Sequence, residues 1–193
     1  MTRSLGLALF IVLAAGMAQA HSEAGVGGGF ASGFTHPLFG FDHVVAMVAV
    51  GLWGAFLGAP AIWLLPVVFP LVMALGGALG VAGMPLPAVE TGIALSGVVL
   101  GLLVALAVKA PLWVAAVIVG VFAVFHGHAH GTELPSAANP YAYAAGFVVG
   151  TGLLHLAGIA IGGLTQTRNG TLAVRAAGLV IAAVGAAFLT GMA

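Results

Sequence analysis

The sequence has no cysteine and very few charged residues. Without cysteine, disulfides, thiolate metal sites and iron–sulfur clusters are excluded. Lysine, arginine, aspartate and glutamate together make up only 4% of the 193 residues, whereas hydrophobic residues make up 62%. A water-soluble globule needs a polar surface that this inventory does not supply. The composition therefore predicts an integral membrane protein, in which any metal ion meets mainly nitrogen and oxygen ligands.

The sequence also lacks an excess of either charge and any nucleotide-binding loop. Four basic residues balance four acidic ones. No basic patch can form to hold nucleic acid, so that class of partner is excluded. No P-loop pattern is present, so the chain carries no sign of its own ATP hydrolysis. The partners that we expect are the lipid bilayer and a small ion.

The first twenty residues have the pattern of a cleavable signal peptide. Arg3 precedes an apolar core of roughly a dozen residues, and Ala18-Gln19-Ala20 has the small-x-small form that signal peptidase accepts. We expect cleavage after Ala20. The alternative is an uncleaved first helix, although the apolar run is short for a span. Cleavage leaves a flexible, glycine-rich segment at 21–35 and a transmembrane domain at 36–193.

Six apolar segments follow, and each is close to the ~20 residues that a membrane span needs. Proline and glycine mark the breaks between them. The predicted spans are 37–58, 61–83, 88–108, 111–130, 140–164 and 171–191. The sequence thus predicts an all-α integral membrane protein, a bundle of six transmembrane helices.

Glycine pairs at small-xxx-small spacing recur through these spans. Such pairs let helix backbones approach closely. They are Gly54/Gly58, Gly76/Gly80, Gly97/Gly101, Gly146/Gly150 and Gly158/Gly162. Their contacts lie either within one bundle or between protomers of a homo-oligomer, and the sequence leaves this choice open.

The sparse charges predict the orientation of the bundle. Lys109, Arg168 and Arg175 are all the basic residues of the mature chain, and they fall in or just after the breaks that follow spans three and five. Positively charged residues favour the cytoplasmic side. The mature N- and C-termini are then expected on the periplasmic side of the bacterial inner membrane. The acidic residues fall at or near that same side: Glu23, Asp42, Glu90 and Glu133.

The stretch HPLFGFDH, at 36–43, places two histidines and an aspartate beside the first apolar run. On a single helix, His36, Gly40 and His43 share one stripe because they are spaced by four and three residues. With Pro37 in the first turn, His36 lies at the end of the helix and His43 about 10 Å deeper. Asp42 either binds a cation directly or accepts a hydrogen bond from a histidine ring. A carboxylate this close to hydrocarbon favours a functional role.

A second cluster, FHGHAHGTE, ends the fourth span. On a helix, His126 and His130 are one turn apart and Glu133 continues their face, while His128 points elsewhere. Alternatively the three histidines form a chelating loop, which the neighbouring glycines permit. A third interpretation is a polar rim that reaches the membrane surface. The predicted topology puts both clusters at outer ends of spans, where they can form one metal site.

Three further residues are weaker candidates for metal binding. Glu90 lies at the outer end of its span, where an acid is also favoured by the helix dipole alone. His155 lies past the middle of the fifth span and is either a packing residue or a deeper cation or proton site. His21, the expected new N-terminus, would collect metal at the entrance.

Imidazoles with a few carboxylates suit late first-row cations, namely nickel, cobalt, zinc or copper(II). Ligands at successive depths along glycine-lined helices suit a permease, which must release its ion in steps. We therefore expect a transported ion and no enzyme activity. The alternatives are an intramembrane zinc-dependent hydrolase using the same His/Asp cluster and a metal sensor, although the cytoplasmic breaks are short for a docking domain.

HPLFGFDHVVAMVAVG followed by FHGHAHGTELP resembles the HupE/UreJ family of bacterial metal permeases, over nearly the whole chain. The resemblance implies uptake of nickel, in some members cobalt, through six spans, without an ATPase or a prosthetic group. It associates the protein with hydrogenase and urease maturation. By match to the family motifs, the leading metal contacts are His36, Asp42, His43, His130 and Glu133.

Overall fold

The fold was obtained as a computed structural model, which describes residues 29–134 and 139–192. This part of the chain is entirely helical, with seven α-helices and one short 3-10 turn at Gly163–Gln166. The helices are α1 (Phe30–Phe39), α2 (Phe41–Leu57), α3 (Ala61–Val81), α4 (Val89–Ala105), α5 (Leu112–Glu133), α6 (Pro140–Gly162) and α7 (Arg168–Leu189). The predicted all-α class is confirmed. The expected signal peptide and His21 lie outside the described residues.

Four of the predicted spans correspond to helices that are long and apolar enough to cross a bilayer. They are α3, α5, α6 with its 3-10 extension, and α7. Helix α4 is apolar but shorter, at 17 residues. The first predicted span, 37–58, is not one helix: α1 and α2 meet at Gly40 with a bend of 82°. The chain is thus a multi-pass helical protein, and the first apolar segment that the structure describes is a pair of helices, α1 and α2, joined at a bend.

The outer surface of the bundle is apolar, as lipid requires. Only 28–33% of the residues in the most apolar stretch of each spanning helix are buried within the protein. Large side chains such as Trp63, Leu71 and Val117 are more than half exposed. A contiguous apolar surface of this extent is incompatible with water, whereas a bilayer leaves it in its preferred environment.

Glycines set the close approach between neighbouring helices. At the crossing of α3 and α5, a β-carbon at Gly76 would overlap the backbone of Val124, and one at Gly131 would overlap that of Gly77. Gly97 and Gly101 do the same between α4 and α7. The remaining predicted pairs also lie against other helices of the same chain, except at Gly58, which is exposed to open space. Their role in this structure is therefore intramolecular packing.

Helix α2 is the centre of the bundle and contacts α3, α4, α6 and α7. Nine of its seventeen residues are buried, including Met47, Leu52 and Trp53. The indole N–H of Trp53 donates to the carbonyl oxygen of Val108, beyond the C-terminus of α4, at 2.9 Å. The C-terminal half of α2 is thereby joined to the segment that follows α4.

The close contact of α3 and α5 predicts that adding one methyl group at Gly76 destabilises the protein. We expect Gly76→Ala to lower the free energy of unfolding by about 1–3 kcal/mol, because its β-carbon must displace the backbone of Val124. Gly152→Ala is the matched control: its β-carbon meets no described atom within 4 Å, and alanine favours the helix by up to about 1 kcal/mol. Thermal unfolding in detergent compares the two variants, and equal melting temperatures would contradict the close packing of α3 and α5.

Candidate metal centre

The break at Gly40 determines the geometry of the HPLFGFDH stretch. His36 lies in the last turn of α1, and Asp42 and His43 lie in the first turn of α2. A β-carbon at Gly40 would lie 3.1 Å from Nδ1 of His43 and 3.2 Å from Oδ1 of Asp42. A side chain at this position would therefore crowd the pair. Glycine lets the chain turn sharply while Asp42 and His43 stay in contact.

Asp42 orients the ring of His43. The Nδ1–H of His43 donates to Oδ1 of Asp42 at 2.7 Å, and the backbone N–H of His43 donates to the same oxygen at 2.8 Å. This hydrogen bond places the ring proton on Nδ1 and the lone pair on Nε2. That Nε2 is buried and has no hydrogen-bond partner among the residues that the structure describes. A carboxylate that fixes the tautomer of a histidine in this way is typical of the surroundings of metal ligands.

Ser96 of α4 orients the ring of His126 in a similar way, through a hydrogen bond. The hydroxyl of Ser96 donates to the carbonyl oxygen of Ile93 at 2.6 Å, which uses its single proton. At 2.9 Å from the same hydroxyl oxygen, Nε2 of His126 is therefore the donor. The lone pair of His126 lies on Nδ1, which is buried and unpartnered within residues 29–134 and 139–192. Two histidines on different helices thus carry oriented, unsatisfied nitrogens.

Four imidazoles lie in continuous contact at this end of the bundle. The ring centroids are 4.8 Å apart for His36 and His130, 4.5 Å for His130 and His43, and 4.8 Å for His43 and His126. His36 and His43 are 6.3 Å apart, face to edge. The expectation that His36 and His43 lie on one straight helix is wrong, because α1 and α2 meet at Gly40 with a bend of 82°. We call these four side chains the histidine cluster.

A carboxylate lies beside the outer end of the histidine cluster. Oε2 of Glu133 lies 3.5 Å from Nε2 of His36 and 3.7 Å from Nδ1 of His130. One ligand atom from each of these three residues lies within 4.8 Å of the others, a separation that one metal ion can bridge after small side-chain adjustments. Neither nitrogen of His130 has a hydrogen-bond partner in the described part of the chain. Two imidazoles and a carboxylate form a donor set suited to a late first-row divalent cation.

Exposure falls steadily along the cluster. The side chain of Glu133 is 59% exposed and that of His36 37% exposed, whereas those of His130 and His43 are 10% and 9% exposed. His126 is completely buried. The cluster therefore leads from the protein surface into the bundle, with a further imidazole at each step.

The structure does not bring every predicted residue to the cluster. Nε2 of His128 donates to the carbonyl oxygen of Met84, after the end of α3, at 2.7 Å. Glu90 is exposed in the first turn of α4 and lines a separate surface cavity of about 400 Å³ with residues 188–191. His155 is buried deeper in α6 and is in contact with Phe69. His128 is thus hydrogen-bonded elsewhere, and Glu90 faces a different cavity.

Sequence reasoning missed three residues around the cluster. Ser96 carries a signal, because it is the only serine in α4. The rings of Phe147 and Tyr143, on α6, lie 4.3 Å from His130 and 6.1 Å from His36 respectively, measured between centroids. Aromatic residues in an apolar span give no signal of this role, since they are equally suited to packing or lipid contact.

The fold and the cluster together define a class, the multi-pass helical membrane proteins with a cluster of histidine side chains within the bundle. Within this class the chain belongs to the HupE/UreJ family, whose model, described as HupE / UreJ protein, matches residues 9–188. It is 49% identical to Protein HupE from Rhizobium leguminosarum bv. viciae over 173 residues, 89% of this chain and 91% of that protein. No solved structure was found to match. The family is associated with nickel and cobalt transport.

Proposed function

We propose that this protein takes up nickel, or cobalt, across the bacterial inner membrane and supplies the maturation of a metalloenzyme such as a hydrogenase or urease. The observation that carries the proposal is the histidine cluster, which begins beside the exposed carboxylate of Glu133 and ends at the fully buried imidazole of His126. Unsatisfied nitrogens at successive steps allow an ion to exchange one ligand for the next. Membership of a family associated with metal transport supports the same function.

The arrangement of basic residues supports uptake from the periplasmic side. The cluster includes the C-terminal end of α5, whose 22 residues span about 33 Å. Lys109 lies just before the opposite, N-terminal end of that helix. Nε of Arg175 donates to the carbonyl oxygen of Ala105, four residues before Lys109, at 2.7 Å. By the positive-inside rule, the basic end faces the cytoplasm and the cluster faces the periplasm.

The ions proposed to be carried follow from the donor set and the family. Two imidazoles and a carboxylate suit late first-row divalent cations, whereas calcium and magnesium prefer more oxygen ligands. The family association narrows this group to nickel and cobalt. The ion is then the transported substrate, and the chain needs no prosthetic group.

Radioactive nickel uptake into vesicles that contain the purified full-length protein tests the proposal. We expect saturable uptake by the wild type, and its loss in a correctly inserted variant with alanine at His36, Asp42 and His43. Cobalt competes in the same assay and gives the relative preference for the two ions. Tight binding without movement of either ion would overturn the permease and make an intramembrane zinc-dependent hydrolase the model to test.

Uptake is expected to depend on the external pH. Only neutral imidazole binds a metal ion, and histidine ordinarily titrates near pH ~6.5. Lowering the external pH from about 7.5 to about 5.5 should therefore reduce the initial rate of nickel uptake, because protons compete with the ion for the imidazole nitrogens. The measurement keeps the internal pH constant and compares rates at subsaturating nickel. A rate that rises on acidification would contradict binding through neutral histidines.

A further inference from the structure

A second group of unsatisfied polar side chains lies deeper in the bundle, on α6. His155 is 1% exposed, and neither of its ring nitrogens finds a hydrogen-bond partner in the part of the chain that the structure covers. Thr151, one turn earlier on the same helix face, is completely buried, and its hydroxyl is likewise unpartnered among described residues. Burying unsatisfied polar groups is unfavourable. Two of them side by side on one helix face indicate a site for a polar ligand.

This pair lies further from the exposed end of the protein than the histidine cluster does. On α6, Phe147 contacts His130 of the cluster, with ring centroids 4.3 Å apart. His155 follows Phe147 by eight residues, which corresponds to about 12 Å along a helix. The pair therefore lies along α6 in the direction of the helix end that is remote from the exposed His36 and Glu133.

Phe69 of α3 separates this pair from the cluster. Its ring centroid lies 5.5 Å from that of His126 and 5.4 Å from that of His155, and the side chain is completely buried. One aromatic ring thus contacts the innermost imidazole of the cluster and the deeper imidazole at once. The direct route from His126 to His155 therefore runs past this ring.

The turn of α3 that carries Phe69 has fewer helical hydrogen bonds than its neighbours. Pro66 and Pro70 lie within α3, on either side of Phe69, and neither has a backbone N–H. The carbonyl oxygens four residues before them therefore lack their usual helical donors. Local displacement of this turn breaks fewer hydrogen bonds than displacement of an ordinary helical turn, which permits movement of the ring.

We propose that His155 and Thr151 form an inner binding site for the transported divalent cation, separated from the histidine cluster by Phe69. The proposal rests on the proposed transport function. An imidazole nitrogen and a hydroxyl oxygen suit a late first-row cation that retains water in its other positions. With only two protein ligands, the inner site binds weakly, and weak binding at the inner end of a pathway promotes release.

Paired substitutions separate ligation from packing at both residues. Thr151→Val keeps the shape of the side chain and removes the oxygen, whereas Thr151→Ser keeps the oxygen and removes a methyl group. His155→Leu fills the space without a ligand atom. We expect His155→Leu to lower the maximal rate of nickel uptake at least tenfold and Thr151→Val about threefold or more, while Thr151→Ser stays within twofold of the wild type.

Two further readouts distinguish an inner site from a structural role. The nickel concentration at half-maximal binding, measured on the purified protein at equilibrium, should change less than about twofold because the histidine cluster is intact. The melting temperature of His155→Leu and Thr151→Val should stay equal or rise, because each removes an unsatisfied buried group. A slower but equally stable carrier is the expected result.

The outcomes test the inner site separately from the proposed function. If the wild type takes up no nickel, the transport function itself fails. If the wild type takes up nickel and His155→Leu and Thr151→Val match its rate, the transport function stands and the inner site is overturned. If uptake falls only in proportion to a loss of thermal stability, His155 and Thr151 are packing residues, and the inner site is overturned as well.

Discussion

His130→Ala is expected to reduce nickel uptake at least 100-fold. The His130 ring contacts both His36 and His43, with centroids 4.8 Å and 4.5 Å away, and no other described imidazole contacts both. Both of its nitrogens are unpartnered within the described chain, so alanine removes two candidate ligand atoms and interrupts the row of imidazoles. Loss of a group that only supports a ligand costs about 10–100-fold, and loss of a central ligand should exceed that.

His128→Ala is the matched control, because it removes an imidazole two residues earlier on the same helix. Nε2 of His128 is engaged with the carbonyl oxygen of Met84, and its ring is in contact with none of the four cluster imidazoles. We expect its initial rate of radioactive nickel uptake to stay within about threefold of the wild type. Equal losses in the two variants, at equal amounts in the membrane, would contradict the geometry of the cluster.

The long helices could be predicted because a membrane span has a simple signal. About twenty consecutive apolar residues between proline or glycine breaks suffice to locate α3, α5, α6 and α7 to within a few residues. The prediction of one continuous helix for the first span was wrong, and the reason is also physical. His36, Gly40 and His43 keep a spacing of four and three residues across the break, so helical periodicity continues where the helix does not.

The predicted start of the first helix, at Pro37, was also wrong. A proline is favoured in the first helical turn, and the sequence was therefore expected to begin its helix there. In the structure α1 begins at Phe30, and Pro37 lies near its end, where the missing N–H removes one bond only. Contact of Gly33 with the backbone of Tyr143 and of Gly146 with that of Phe30 supports the preceding turns, and such tertiary contacts leave no pattern in the sequence.

The identities of the candidate ligands were easier to predict than their arrangement. Histidine and carboxylate stand out in a chain with 4% charged residues, so the sequence indicates which side chains to consider. Which of the three histidines of FHGHAHGTE face the cluster depends on the position of α3, whose end offers Met84 to His128. The role of Ser96 depends in the same way on a neighbouring helix, since it orients a residue thirty positions away.

Substitution of Asp42 is expected to have the second large effect on nickel uptake. Asp42 accepts the hydrogen bond that orients the ring of His43. Its Oδ1 accepts both the ring and the backbone N–H of His43. Asp42→Ala removes the acceptor and leaves the His43 ring free to change its tautomer and orientation. We expect nickel uptake to fall about 100-fold, the upper end of the effect of removing a partner that orients a metal ligand.

Asp42→Asn separates orientation from charge. The amide oxygen of asparagine can still accept from Nδ1–H of His43, so the Nε2 lone pair keeps its position while the negative charge is lost. If Asp42 acts mainly through His43, uptake by Asp42→Asn should fall only about tenfold and exceed that of Asp42→Ala. Initial nickel uptake rates of both variants, normalised to the amount of protein in the vesicles, distinguish orientation of His43 from a need for the negative charge. Equal losses in the two variants would show that the carboxylate charge itself is required, either to bind the cation or to attract it, and that its hydrogen bond to His43 is secondary.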